Sequence, residues 1–254
     1  NILWRTTDLR YAPVHGNGGS PILVDGKLVF SIDGADKQML IALDPASGKE
    51  LWRADRKSKA SRKFSFCTPP AIAVGGKTQI ISPASDLVVA CDPADGAELW
   101  RVRYEGYSVV PRPVHGHGMI YLSTGYDNPR LLAIRVDGQG DVTDSHIAWI
   151  MAKGAPHTPS PILVGNELYV ISDRGRASCL DARTGKQYWQ ESLDGNYSAS
   201  PFHADGKIYF QSEAGLTTVL RAGTKFEQLA QSNLEEKAFA SFAAAAGASG
   251  SKAA

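Results

Sequence analysis

The sequence predicts an all-β fold: a β-propeller of four-stranded antiparallel blades, about five of them present, in an incomplete or open ring. Three observations predict it. One phrase is written three times, as ALDPASGKELW at 42–52, ACDPADGAELW at 90–100 and CLDARTGKQYW at 179–189. Every tryptophan belongs to one series, Trp4, Trp52, Trp100, Trp149 and Trp189, at spacings of 48, 48, 49 and 40 residues. A second marker keeps phase with the first: a Pro, an apolar run, a Gly-containing turn and another apolar run. It reads SPILVDGKLVF at 20–30, SPILVGNELYV at 160–170 and SPFHADGKIYF at 200–210. Repeats of about 40–50 residues with four strands each are the mark of a propeller.

Each strand has its own reason. Strand A is the run after the Pro. Strand B follows a turn such as Asp25-Gly26 or Gly165-Asn166, residue types that tolerate the positive φ of tight hairpins. Strand C ends at the repeated Asp, as in MLIALD, DLVVACD and ASCLD. The turn from C to D runs from Asp44 to Gly48, Asp92 to Gly96 and Asp181 to Gly185. There the carboxylate accepts backbone N–H groups and the Gly takes the left-handed position. Strand D carries the Trp, a large apolar plate suited to lie between sheets. Looser copies at 69–81 and 112–122 complete five blades, at about 17–55, 66–104, 108–152, 157–192 and 197–232.

The ends depart from the pattern. Residues 1–5 read as a stray strand D of a preceding blade, because Trp4 fits the series. Forty residues beyond Trp189 lies Leu229, expected to stand where the next Trp would be. Residues 137–146 are an insertion that lengthens the third C–D hairpin. ASFAAA at 240–245 reads as a degraded strand A, with Phe242 in place of the Pro. The domain reading is therefore a propeller over 1–236 and an Ala/Gly/Ser-rich tail over 237–254. The open ring is preferred to five blades contracted into a small closed one.

Net charge is +1, which gives no electrostatic reason to expect nucleic acid or an anionic membrane as partner. No apolar stretch approaches the roughly 20 residues of a membrane-spanning helix, so no membrane span is expected. The basic run Arg53 to Lys63 reads as a solvated loop. The cysteines at 67, 91 and 179 show no metal or redox spacing, and Cys91 and Cys179 read as core residues. His115-Gly116-His117 offers two imidazoles in an A–B turn but no third ligand nearby, so no metal is expected.

The repeated phrase resembles the pyrroloquinoline-quinone-like (PQQ-like) propeller repeat, whose consensus reads roughly ALD-x-x-TG-x-x-x-W after an apolar strand. The resemblance covers about residues 2 to 232. GDVTDSHIAW at 140–149 and GNYSASPFHADGKIYF at 195–210 look like a bacterial exported subgroup whose members begin with further blades. It implies a periplasmic or otherwise extracytoplasmic setting, with a protein partner or missing N-terminal blades against the open faces. The family's known uses are protein-binding platforms and quinone-dependent dehydrogenases. The dehydrogenases are similar in these repeats but carry an adjacent-cysteine disulfide, a calcium ion and an Asp base. This chain has no adjacent cysteine pair, so no cofactor is expected.

The repeated residues all have structural roles and no catalytic set emerges. The function expected is a non-enzymatic binding or scaffold module for protein or small ligands. A quinone-dependent oxidoreductase is the alternative. In a propeller the D–A and B–C loops share one face around the channel mouth. The D–A loops offer His15, Asn17, Phe64, Phe66, Tyr107, His157, Asn196 and Tyr197 as ligand-binding residues. Tyr126 comes from a B–C loop, and Arg112 and Arg174 would clamp a carboxylate.

Overall fold

The computed structural model describes residues 2–243. Its strands form five sheets, each built on a four-stranded antiparallel meander. The first sheet holds β1 (Ile22–Val24), β2 (Lys27–Asp33), β3 (Gln38–Leu43) and β4 (Glu50–Asp55). The second holds β5 (Ala71–Val74), β6 (Lys77–Ala84), β7 (Leu87–Cys91) and β8 (Glu98–Arg103). The third holds β9 (Val114–Gly116), β10 (Met119–Ser123), β11 (Leu131–Arg135) and, after an inserted β12 (Gly140–Asp141) and α1 (Thr143–His146), β13 (Ile147–Met151). The fourth is β14 (Ile162–Val164), β15 (Glu167–Ile171), β16 (Arg176–Asp181) and β17 (Gln187–Ser192). The fifth is β18 (Phe202–Ala204), β19 (Lys207–Gln211), β20 (Leu216–Arg221) and β21 (Gln228–Asn233).

The architecture is the open propeller expected. Four apolar cores lie between successive sheets, one for each neighbouring pair. A fifth covers the outer face of the first sheet with Trp4, Leu9 and Tyr11. No hydrogen bond among the described residues joins the first sheet to the fifth. Successive strands A are tied near their starts by a belt of hydrogen bonds. Ser20 N–H donates to Thr68 Oγ1 at 2.8 Å, Arg112 N–H to Ser160 Oγ at 2.9 Å, and Ser160 N–H to Ser200 Oγ at 3.0 Å. Ser200 N–H continues it to Ser241 Oγ at 3.0 Å, which places Ser241-Phe242 where a sixth strand A would begin. Phe242 packs its ring on Phe202 and Tyr209. The remainder of that expected strand, 244 and 245, lies outside the described residues, as does most of the tail.

Each repeated Trp wedges against the next blade. Trp52 Nε1 donates to Pro93 O at 3.1 Å, and its ring lies over Gly96. Trp149 does the same with Ala182 O at 3.0 Å and Gly185. Burying about 200 Å² of indole contributes at most about 5 kcal/mol. The Asp of the repeat has the role expected of it. Asp181 Oδ1 accepts the N–H of Arg183 and Thr184 and the Thr184 hydroxyl, and Asp44 repeats the pattern with Ala46 and Ser47.

Four expectations are corrected. Residues 2–5 form no strand, because no strand C lies beside them. Trp4 still occupies the wedge, with Nε1 on Pro45 O at 2.8 Å and its ring over Gly48. The position equivalent to the Trp series in the fifth sheet is Ala230, not Leu229. Trp52 pairs with Ala42 and Trp189 with Cys179, and the matching partner in β20, Val219, pairs with Ala230. Phe226 fills part of the gap, its ring 5.4 Å from that of Trp189. The insertion does more than lengthen its hairpin. Its β12 pairs in parallel with β8 and becomes a fifth strand of the second sheet. Val142 and Ile147 then cover Trp100, whose Nε1 turns to Gln79 Oε1 at 3.0 Å. This replaces the Asp-to-Gly turn that the third blade lacks.

The fourth correction concerns the basic run. Arg56 is not solvated but 1% exposed, and its guanidinium donates to Asp33, Ser31 and Ser82. It ties the first sheet to the second. Burial pushes the Asp33 carboxyl up to about 6, against the pull of Arg56.

Candidate functional site

The D–A loops and B–C turns share one face, and each loop is fastened there by an acid. Ala12 N–H donates to Asp36 Oδ1 at 2.7 Å, and Lys59 N–H to Asp86 Oδ2 at 2.9 Å. The Tyr107 hydroxyl donates to Asp127 Oδ2 at 2.9 Å, and His157 N–H to Asp173 Oδ2 at 2.6 Å. The Ser198 hydroxyl donates to Glu213 Oε1 at 2.5 Å. In each case the acid sits in the B–C turn of the blade that the loop enters. A hydrogen bond to a charged acceptor is worth about 1.5–3 kcal/mol where it is shielded from water, less in the open.

The fastened loops bring five of the expected residues into a line of touching rings. His15 meets Phe64 edge to face, centroids 5.3 Å apart, and Phe64 meets Tyr107 at 5.8 Å. Tyr107 meets Tyr126 at 6.0 Å, and Tyr126 meets His157 at 5.3 Å. Phe66 braces the start, 5.9 Å from Phe64 and 6.1 Å from His15. The line crosses from the loop before the first blade to the loop before the fourth. A shallow depression of about 560 Å³ lies along it, lined by His15, Arg62, Phe64, Tyr107, Ser108 and Tyr126. The Tyr107 hydroxyl is held above the usual phenol range by partial desolvation and by its bond to Asp127.

The other expected residues are placed apart from this line. Asn17 accepts the Tyr11 hydroxyl at 2.6 Å and, with Phe66, lines a separate cavity of about 330 Å³ against the first sheet. Arg112 is exposed at the start of β9 and borders a depression with Pro70, His115 and Ile162. Arg174 and Asn196 are exposed on the turns around the fourth and fifth blades. Tyr197 is fully buried in the core between those blades, its hydroxyl on Asp194 O at 3.0 Å, so it meets no surface ligand. His117 Nε2 lies 2.9 Å from Gly165 O in the next blade's turn.

Sequence reasoning missed Arg62 and the fastening acids. The Arg62 guanidinium lies 4.7 Å over the Tyr107 ring and hydrogen-bonds its hydroxyl. The signal was present in the basic residue two places before Phe64, masked by the density of charge around it. The acids recur in the B–C turns, as in Ser172-Asp173-Arg174-Gly175 and Ser212-Glu213-Ala214-Gly215, but no local pattern links each to the loop it fastens 15–27 residues away.

A family profile described as outer membrane protein assembly factor BamB matches residues 36–149 and 141–225. The chain belongs to that family. It is a PQQ-like β-propeller repeat protein. Among solved structures the PQQ-like chain is similar to a quinohemoprotein alcohol dehydrogenase from Comamonas testosteroni, with 16% identity and a TM-score of 0.62 over 86% of this chain and 43% of that one. It is similar to quinohemoprotein alcohol dehydrogenase ADHIIG from Pseudomonas putida HK5, with 15% identity and a TM-score of 0.64 over 88% of this chain and 43% of that one. BamB from Moraxella catarrhalis matches at 16% identity and a TM-score of 0.48, over 88% of this chain and 76% of that one. The chain thus spans less than half the length of either dehydrogenase, and the likeness to them is one of fold. A comparison with curated protein sequences finds no match.

Proposed function

We propose that this PQQ-like propeller is a non-enzymatic binding module that holds a protein segment or small ligand on its mouth face, outside the cytoplasm. The observation that carries the reading is the line of rings from His15 to His157, built from loops of different blades and fastened by acids. Convergent aromatic groups on a concave surface supply large contact area at low entropy cost. Family membership supports a protein partner and an extracytoplasmic setting, the family being described as an outer membrane protein assembly factor. Among the described residues no helix is long and apolar enough to cross a membrane.

The residues present do not fit a quinone site of the dehydrogenase kind. The three cysteines are buried, unpaired and in different sheets or loops. Burial pushes the thiols of Cys91 and Cys179 up to about 12. Calcium takes about six to eight oxygen ligands. Among the described residues no three His, Cys, Asp or Glu side chains converge as a metal-holding group. The mouth acids each hold a loop instead.

The test is a selection of peptides from a random displayed library on the folded protein. Selected peptides are then measured on a Phe64→Ala/Tyr126→Ala variant and on Lys225→Ala, a change in a turn of the fifth blade. Loss on the ring variant alone supports the reading. Equal binding to all three proteins overturns it, as does stoichiometric uptake of pyrroloquinoline quinone and calcium with alcohol oxidation.

A further inference from the structure

We propose that the occupant of the mouth is an acidic, extended peptide segment of a partner protein; this rests on the binding reading above and names its ligand class. The rings are bordered by one strongly basic loop. Lys59, Arg62 and Lys63 lie within the five residues before Phe64, the second ring of the line. Lys59 and Lys63 form no ion pair among the described residues. Arg62 reaches Asp127 only at 3.8 Å, with both side chains more than half exposed, a pairing that neutralises little of its charge. Two carboxylates stand near this loop, Asp86 on the Lys59 amide and Asp127 on the Tyr107 hydroxyl, so its three cations outnumber the neighbouring acids by one. A partner segment therefore meets Arg62 beside the rings and two further unpaired lysines in the same loop, a local excess of positive charge at this end of the mouth.

The same geometry disfavours nucleic acid. Base stacking requires open, parallel ring faces. Here one face of Tyr107 lies under Arg62, and Phe64 stands at 89° to His15 and 85° to Tyr107. The net charge of +1 also gives none of the long-range attraction that phosphate backbones exploit. Extension follows from shape. The line of rings runs on the order of 20 Å, which about six residues of extended chain would cover. Carboxylates spaced along such a segment reach the lysines while its apolar side chains rest on the rings.

The test uses the whole chain and fluorescence anisotropy with three labelled probes. They are an acidic peptide of about ten residues alternating Glu or Asp with Leu or Ala, its Gln/Asn counterpart, and a single-stranded DNA of about ten nucleotides. The acidic peptide is expected to bind at least about tenfold tighter than its amide counterpart, and to weaken as salt rises. Lys59→Ala/Lys63→Ala, both surface changes, should cost about tenfold for the acidic peptide and leave the amide peptide unchanged. Tight binding of the amide peptide that Phe64→Ala abolishes overturns the acidic class and leaves the binding module standing. DNA as the tightest probe overturns the peptide class. Acidic-peptide binding that survives both Phe64→Ala and the double lysine variant overturns this inference and removes the mouth as its site.

Discussion

The indole of Trp52 lies on Gly96 of the next blade so closely that a Cβ at Gly96 would come 2.6 Å from Trp52 Cε3. No real Cβ contact is that short, and Gly96 also has a φ of +75°, where a side chain is strained. The repeat therefore needs its Gly twice over, for the turn and for the plate above it. Gly96→Ala should destabilise the protein by about 2–4 kcal/mol, from backbone strain plus overpacking. Gly26→Ala is the control. It has a φ of +73° with nothing within 4 Å of the added Cβ, so it should cost only about 1–2 kcal/mol. Urea unfolding of the two variants checks this, and equal losses would remove the packing part of the explanation.

Fastening of the loops by B–C acids predicts a local effect. Asp173→Ala removes the acceptor of the His157 amide and should speed hydrogen exchange over about residues 156–158. Global stability should fall by only about 1–2 kcal/mol. Exchange mass spectrometry reads this directly. Unchanged protection of that segment would show that the loop is held by other contacts.

The pair of Arg56 and Asp33 predicts a pH dependence of definite sign. The folded value of Asp33, about 6, lies above the ordinary carboxyl value of 3.8. Between these values the folded chain keeps a proton that the unfolded chain releases. The stability this contributes is full below about pH 4 and is lost as pH rises through about 6. Asp33→Asn has no carboxyl proton to release. Wild-type stability minus that of the variant should fall by up to about 3 kcal/mol from pH 4 to 7. Urea titrations at several pH values test it, and a flat or rising difference would reverse the assignment.

The fold was legible wherever packing repeats. Trp52, Trp149 and the repeated Asp residues face the same neighbours in each blade, so the same residue types recur at near-fixed spacing. Legibility failed where one blade solves the problem differently. Trp100 is covered by an insertion that returns to the previous sheet, a long-range pairing that no local pattern announces. Leu229 and Ala230 differ by one residue of turn length, and only strand register decides between them. At the mouth, His15, Phe64, Tyr107, Tyr126 and His157 could be assigned to one face from loop order alone. Their contact depends on Asp36, Asp127 and Asp173, whose partners lie 16–24 residues away. Tyr197 read as a mouth residue because it sits in a D–A loop, yet its ring turns inward between two blades.

The blade-to-blade wedge carries the whole account, and the indole N–H resonances of the five tryptophans test it most directly. Trp52 and Trp149 donate to carbonyls of the following blade, beside Gly96 and Gly185. Gly96→Ala should therefore shift and deprotect the Trp52 indole while leaving Trp149 unmoved, and Gly185→Ala should do the reverse. If either substitution moves the indole of its own blade instead, Trp100 for Gly96 or Trp189 for Gly185, the sheets are not stacked as described.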